Sequence, residues 1–567
     1  MRRHTDKNGL IVNAIAGTHV VFFGLDLAEA QRPGFRGFGF KRLDHVEGET
    51  TWLRGMKTFE KTEPHPAKGE TFSTRYHPVQ SFQWADYSAK PGRDYTYSIV
   101  ALYGDPADLQ PRIEIEIAVT TEAETGPTHS AFFNRGSVAT QEYARRFENE
   151  KPSEAGPGAY EWLSRGLLEA LVAFIDRAGQ EWGIHGAVYE FQWPDVLAAV
   201  KRASQRGAAV KVLFDDIEAY SKEKPKGPWK KNRDAIAAAK IKSLCHGRKN
   251  GRLMHNKFFV LSRKGKPKAV WTGSTNLTEN GIFGHSNVGH IVEDKKVAQA
   301  FLDYWHRLDQ DPEVRNDYRS ANMAATPAPP APWKARTTAV ASPRGTDLDA
   351  LNWYSQVAAS AQGGLFMTFA FGMQEKFKDV YRKDDMILRM ALLEKEGNPK
   401  TIKQDRKDIQ AIRNRPNVVL AIGNRIVTNC FDRWLAEMSR INPNIHVYWV
   451  HTKYMLVDPL SAAPIVVTGS ANFSKASTDT NDENMLVIRG DKRIADIYFG
   501  EYLRLYNHYA FREAVKWYME KQKKSTPESW RPQFLVDDDK WITSYFATDD
   551  TSGRFARRVY FAGPMAE

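Results

Sequence analysis

Two short stretches of this sequence hold residues suited to handling a phosphoryl group. The first is His255-Asn256-Lys257, with Gly273-Ser274-Thr275-Asn276 downstream; the second is His451-Thr452-Lys453, with Gly469-Ser470-Ala471-Asn472. The interval from His to Gly is 18 residues in both, and 14 residues past each Gly stand Asn287 and Glu483. A single His-x-Lys carries no information. Two copies with the same downstream group at the same offset are an internal repeat.

Cleaving a phosphodiester requires charge stabilisation on the phosphoryl oxygens, a nucleophile, and a proton for the leaving oxygen. Lys257 and Lys453 can hold the non-bridging oxygens as point charges without a metal or other cofactor. Ser274, Ser470, Asn276 and Asn472 can add hydrogen bonds to the phosphate or brace the catalytic side chains. One imidazole can attack phosphorus while the other protonates the leaving group and later deprotonates water. Each motif leads into an apolar run, Phe258-Phe259-Val260-Leu261 and Tyr454-Met455-Leu456-Val457. A spacing of two predicts His and Lys on one face of a strand.

These residues resemble the phospholipase D superfamily, whose pattern is His-x-Lys, four residues, Asp, then Gly-Ser-x-Asn. The likeness spans about 160–512, and the second copy matches it in full through His451, Lys453, Asp458, Gly469, Ser470 and Asn472. The first copy has Ser262 at the acidic position, which the resemblance assigns a mainly structural role, and Asn287 where the second has Glu483. The resemblance implies a phosphohistidine intermediate and one active site shared by two domains. Read within its own copy, Glu483 orients His451, which makes His451 the better nucleophile and His255 the acid. An orienting residue acting across the interface between the copies reverses those roles. His185, His290 and His508 stand outside the repeat and read as core or surface histidines; His246 and His285 can flank the pocket without a catalytic part.

The elements that must position this chemistry follow from pattern. Residues 1–125 alternate, most cleanly in Ile113-Glu114-Ile115-Glu116-Ile117, with Gly and Pro between runs, which predicts an antiparallel β-sandwich resembling a fibronectin type III module. Helices are expected over 160–177 and 194–206, and strands over 184–191 and 208–214, in a first α/β domain at 155–322 with a parallel-rich sheet. A Pro-rich linker at 323–345 precedes a second such domain at 346–520. That domain has a helix from Asp347 and strands over 364–371, 386–393, 417–422 and 446–450. The expected architecture is therefore α/β, two tandem phospholipase-D-like domains related by a pseudo-two-fold axis behind a small β-sandwich. The tail at 521–567 is aromatic and expected to pack on the body.

The 567 residues carry a net charge of +12, and 222–268 holds sixteen Lys or Arg against two acids. Such a run beside the first motif attracts polyanions, and equally serves as a solvated Lys-rich insertion. No stretch is long and apolar enough for a transmembrane span or a signal peptide, so a cytoplasmic protein is expected. Two cysteines, Cys245 and Cys430, are read as free, buried thiols. The basic run tilts the substrate toward nucleic acid. Phospholipid hydrolysis, phosphatidyl transfer of the cardiolipin-synthase kind, and a decayed site that only binds phosphate are the alternatives. With both motifs on one chain, a monomer can complete the site, while the β-sandwich is available for a protein or ligand contact.

Overall fold

The computed structural model describes all residues except 68, 149, 222–223, 329–335, 347, 398–399, 424–449, 522–532 and 567. Most of the expected 446–450 strand, and Cys430, lie outside the described residues. Cys245 is half-buried, and burial pushes its thiol up to about 12.

The N-terminal strands form two four-stranded antiparallel sheets. The strand Asp108–Thr120 shows why: Ile113, Ile115, Ile117 and Val119 are buried while the intervening glutamates face solvent. Their facing surfaces enclose Val12, Phe23, Phe40 and Tyr97, and the same core takes in Ile542 and Tyr545 from the C-terminal segment.

Each motif then sits in a seven-stranded sheet, and the two sheets have the same order. The first runs His129–Phe133, Val288–Val292, Lys266–Gly273, Lys257–Arg263, Trp182–Val188, Ala209–Asp215, Cys245–Arg248. The second runs Thr337–Ser342, Glu483–Arg489, Ile465–Gly469, Tyr454–Val457, Gly364–Phe369, Leu388–Leu393, Val418–Ile422. In each, only the last three strands are mutually parallel, so the sheets are mixed rather than parallel-rich. The reason is connection length. Trp182–Val188 reaches Ala209–Asp215 through the helix Pro194–Gln205, whereas Lys257–Arg263 turns back through Lys264-Gly265 alone.

Both edge strands lie outside the stretches expected to form the α/β domains. His129–Phe133 falls in the polar connector before residue 155, and Thr337–Ser342 falls inside the expected linker at 323–345. Each is short and finds its identity only by pairing with the last strand of its sheet. The expected helix over 160–177 is two, Pro157–Ser164 and Leu167–Asp176, broken where Arg165 and Gly166 take φ of 49° and 85°. Among the described residues no helix is long and apolar enough to cross a membrane.

The halves are joined at two matched places. Met254 bridges to Asp482 and Ser286 bridges to Val450, each pair related to the other by the 196-residue offset between copies. The 30-residue helix Lys492–Lys521 spans the join, with Tyr498 packed on Phe133 at 5.0 Å and Glu501 paired to Arg165 at 2.7 Å.

Candidate active site

The bridges place the residue before each motif histidine in the other half's loop, so the histidines meet at the join. Lys257 opens its strand and Lys453 immediately precedes Tyr454–Val457, while both histidines lie beyond the strand ends. The expected single strand face is therefore replaced by a tighter device. Each ammonium donates to the carbonyl of its own histidine, Lys257 Nζ to His255 O at 2.6 Å and Lys453 Nζ to His451 O at 2.5 Å. The two rings stand with centroids 6.4 Å apart and planes 74° from one another.

The orienting groups cross the join. Glu483 Oε2 lies 2.9 Å from His255 Nδ1, and Asn287 Oδ1 lies 2.8 Å from His451 Nδ1. Glu483 thus serves the histidine of the other copy, which corrects the expectation that it orients His451. Asn287 is itself fixed, because Ser274 Oγ donates to its Oδ1 at 2.8 Å and its Nδ2 donates to Gly281 O at 2.7 Å. Both imidazoles consequently carry their proton on Nδ1 and leave Nε2 free for chemistry. Ser470 does not reach Glu483; its hydroxyl closes a turn with the backbone of Asn484.

Burial dominates the electrostatics. It pushes His255 down to about 4 against the pull of Glu483, and Lys257 down to about 7 against Glu483, Glu190 and Asp215. His451 and Lys453 are also held well below their usual values, first by burial and then by neighbouring cations, Lys453 and His285 for His451, and Lys257 for Lys453.

Two buried carboxylates not expected from the sequence brace the motifs. Asp215 Oδ2 accepts the N–H of Met254 at 2.9 Å, and Glu394 Oε2 accepts that of Val450 at 2.8 Å. Asp215 ends the strand Ala209–Asp215 and Glu394 directly follows its counterpart Leu388–Leu393, and each holds the residue preceding a motif histidine. Burial raises Asp215 to about 7. The available signal was an acid closing an apolar run, Val212-Leu213-Phe214-Asp215 and Leu392-Leu393-Glu394.

Asp458, expected among the supporting residues, is not at the site. At the far end of Tyr454–Val457 its carboxylate accepts the N–H groups of Gln362, Gly363 and Gly364 at 2.7–3.1 Å and fixes the start of the neighbouring strand. Ser262, its counterpart, makes one long contact of 3.4 Å to Gly183 O.

A cavity of about 510 Å³ opens over the two histidines. Its wall contains matched pairs, Asn276 with Asn472, Thr278 with Ser474 and His285 with Asn481, all at the offset of 196. His285 lies over His451 with ring centroids 5.4 Å apart. Of the Lys and Arg residues in the basic run, only Lys231 lines this wall among the described residues. Arg248 is buried against Asp311 and Asp482, and Arg233 pairs with Asp216 and Glu218. Among the described residues no group of three His, Cys, Asp or Glu is placed to hold a metal ion.

A family model described as cardiolipin synthase, phospholipase-D-like domain matches residues 171–308 and 404–504, and each match contains one His-x-Lys with its Gly-Ser-x-Asn. No curated protein sequence matches the chain. Among solved structures it is similar to polyphosphate kinase from Porphyromonas gingivalis, at 13% identity and TM-score 0.36 over 58% of this chain and 43% of that one. The chain therefore spans less than half of that relative. It is also similar to phosphatidylserine synthase from Haemophilus influenzae, at 12% identity and TM-score 0.43 over 64% of this chain and 90% of that one. A third is Nuc from Salmonella typhimurium, a phospholipase D family member, at 23% identity and TM-score 0.20 over 25% and 87% of the two chains. Residues 171–308 and 404–504 are thus similar to the phospholipase-D-like domain.

Proposed function

We propose that the chain is a metal-independent phosphodiesterase in which His255 is the nucleophile and His451 the acid and base. The observation that carries this is the crossed pairing, which sets a carboxylate against one imidazole and a neutral amide against the other. Nε2 of His255 attacks phosphorus, the bond to the leaving oxygen breaks, and that oxygen takes a proton from Nε2 of His451, which takes up this proton from solvent when the anionic diester occupies the seat. The phosphohistidine keeps its Nδ1 proton and is cationic, so Glu483 stabilises it in a way that an amide cannot. Neutral His451 then takes a proton from water, whose oxygen attacks phosphorus and releases His255. Lys257 and Lys453 hold the non-bridging oxygens throughout.

Acid quench and peptide mapping in the presence of EDTA test the assignment. We expect phosphate on the peptide bearing His255, accumulating in His451→Ala with a p-nitrophenyl diester, whose leaving group needs no proton, because water is no longer activated. Phosphate on His451 reverses the roles.

The enclosed cavity supports a diester with one compact alcohol arm better than a long basic groove. Hydrolysis of nucleic acid is the second reading, favoured by the hairpin strand Lys224–Lys226, which leads to Gly227 and Pro228 at the cavity wall. A phosphatidyl transferase uses the same intermediate with an alcohol in place of water. Turnover of vesicles, RNA and DNA by wild type and His255→Ala separates these readings.

A further inference from the structure

A seat built from matched pairs cannot by itself tell the two arms of a phosphodiester apart. Beyond the Glu483–Asn287 and His285–Asn481 differences, the symmetry also fails beside the phosphate seat. In the first sheet Val188 pairs with Lys257, and in the second the register that sets Met367 opposite Met455 brings Phe369 level with Lys453. Two residues further on stand Glu190 and Phe371, and both line the cavity. One half offers a carboxylate where the other offers a phenyl ring.

Glu190 is presented by a locked segment. Asn232, fully buried, accepts the N–H of Phe191 at 2.9 Å and donates to Tyr189 O at 2.9 Å. The N–H of Leu277 donates to Glu190 O at 3.2 Å, and Leu277 O accepts Gln192 and Trp193 at 3.0 and 2.8 Å. Its side chain bonds Asn276, and the charges of Lys257 and Lys231 act on it, yet among the described residues no lysine or arginine nitrogen lies within 4.0 Å. A carboxylate beside a bound phosphate is repelled by it, and a donor carried by the substrate offsets that repulsion.

We infer that Glu190 is a specificity-determining residue that anchors one arm of the substrate, an alcohol carrying a hydroxyl or ammonium donor. This rests on the phosphodiesterase reading above. With Phe371 at the matched position, the donor-bearing arm takes the Glu190 side and the bare or apolar arm the other, which fixes the direction of the diester across the seat.

Three diesters that differ in one group test this: p-nitrophenyl ethyl, p-nitrophenyl 2-hydroxyethyl and p-nitrophenyl 2-aminoethyl phosphate. Wild type is expected to prefer at least one of the donor-bearing esters over the ethyl ester in kcat/KM. In Glu190→Gln that ratio falls about tenfold, the loss of a hydrogen bond to a charged group. The ratio is internal to each variant, so a general loss of activity does not move it. Equal kcat/KM for all three in wild type, or a preference that survives Glu190→Gln, overturns the inference and leaves Glu190 as a brace for Asn276. Wild type that turns over none of the three overturns the phosphodiesterase reading instead.

Discussion

At the scale of residues, the site is short of positive charge when empty. Lys257 is held near 7, so at mildly alkaline pH it is largely deprotonated, and burial shifts Lys453 in the same direction. An oxyanion restores the protonated forms, which gives the complex a higher pKa than the free site. The sign follows: binding takes up protons between the two values, and affinity falls as pH rises above about 7 for Lys257. Titration with tungstate, a dianion across pH 7–9, in buffers of different ionisation enthalpy measures the uptake directly. We expect close to one proton at pH 8 and weakening of up to about tenfold per pH unit, since one linked proton gives that slope. Lys257→Met removes the linkage along with most of the affinity. Much of this scale was legible in the sequence, because the repeat singles out His255, Lys257, His451 and Lys453 from among many histidines and lysines. The partner of each imidazole was not, since Glu483 and Asn287 stand at the same place in their own copies and only the joined halves reveal that they swap.

At the scale of elements, the glycine of each Gly-Ser-x-Asn has a steric cause. A Cβ on Gly273 would sit 2.2 Å from Val288 O, and one on Gly469 would sit 2.3 Å from Asn484 O, the same position in the two copies. The strand carrying each glycine must press its backbone against the strand that carries the orienting group, and the following serine completes the contact. Ser274 Oγ accepts the N–H of Val288 at 3.1 Å and Ser470 Oγ accepts that of Asn484 at 3.0 Å. Gly273 also has φ of 142°, which side chains other than glycine avoid. Gly273→Ala and Gly469→Ala are expected to cost about 2 kcal/mol or more each by overpacking, read as a lower melting temperature. Each displaces the orienter at the start of the neighbouring strand, so Gly469→Ala slows phosphorylation of His255 through Glu483, and Gly273→Ala slows protonation by His451 through Asn287. Rapid-quench kinetics resolve the two. The repeat made these strands legible, whereas the edge strands His129–Phe133 and Thr337–Ser342 were missed because no local pattern marks a strand whose partner is over a hundred residues away.

At the scale of the whole molecule, the halves are not free to part. Arg2, in the first strand of the sandwich, forms a buried pair with Asp496 on the spanning helix at 2.7 Å and donates to Ser461 O and Ala566 O at 3.0 Å. The helix Arg554–Ala562 lies between sandwich and second sheet, with Phe561 against Phe22 at 4.8 Å and against Phe366. The aromatic tail residues were readable as packing material, but their docking site was not, because it is formed by three segments distant in sequence. This clamping bears on how the active site is assembled. Each histidine takes its orienter from the other half of the molecule, so in principle two chains could exchange halves. Exchange would have to break both matched bridges, the Arg165–Glu501 pair and the Arg2–Asp496 pair together, exposing several buried charges at once. We therefore expect one chain to build the whole site by itself. Mixing inactive His255→Ala with inactive His451→Ala protein, or producing the two together in one cell, should restore no activity above that of either alone. Recovery approaching a quarter of wild type, the share expected if halves paired at random, would show that the site forms between chains.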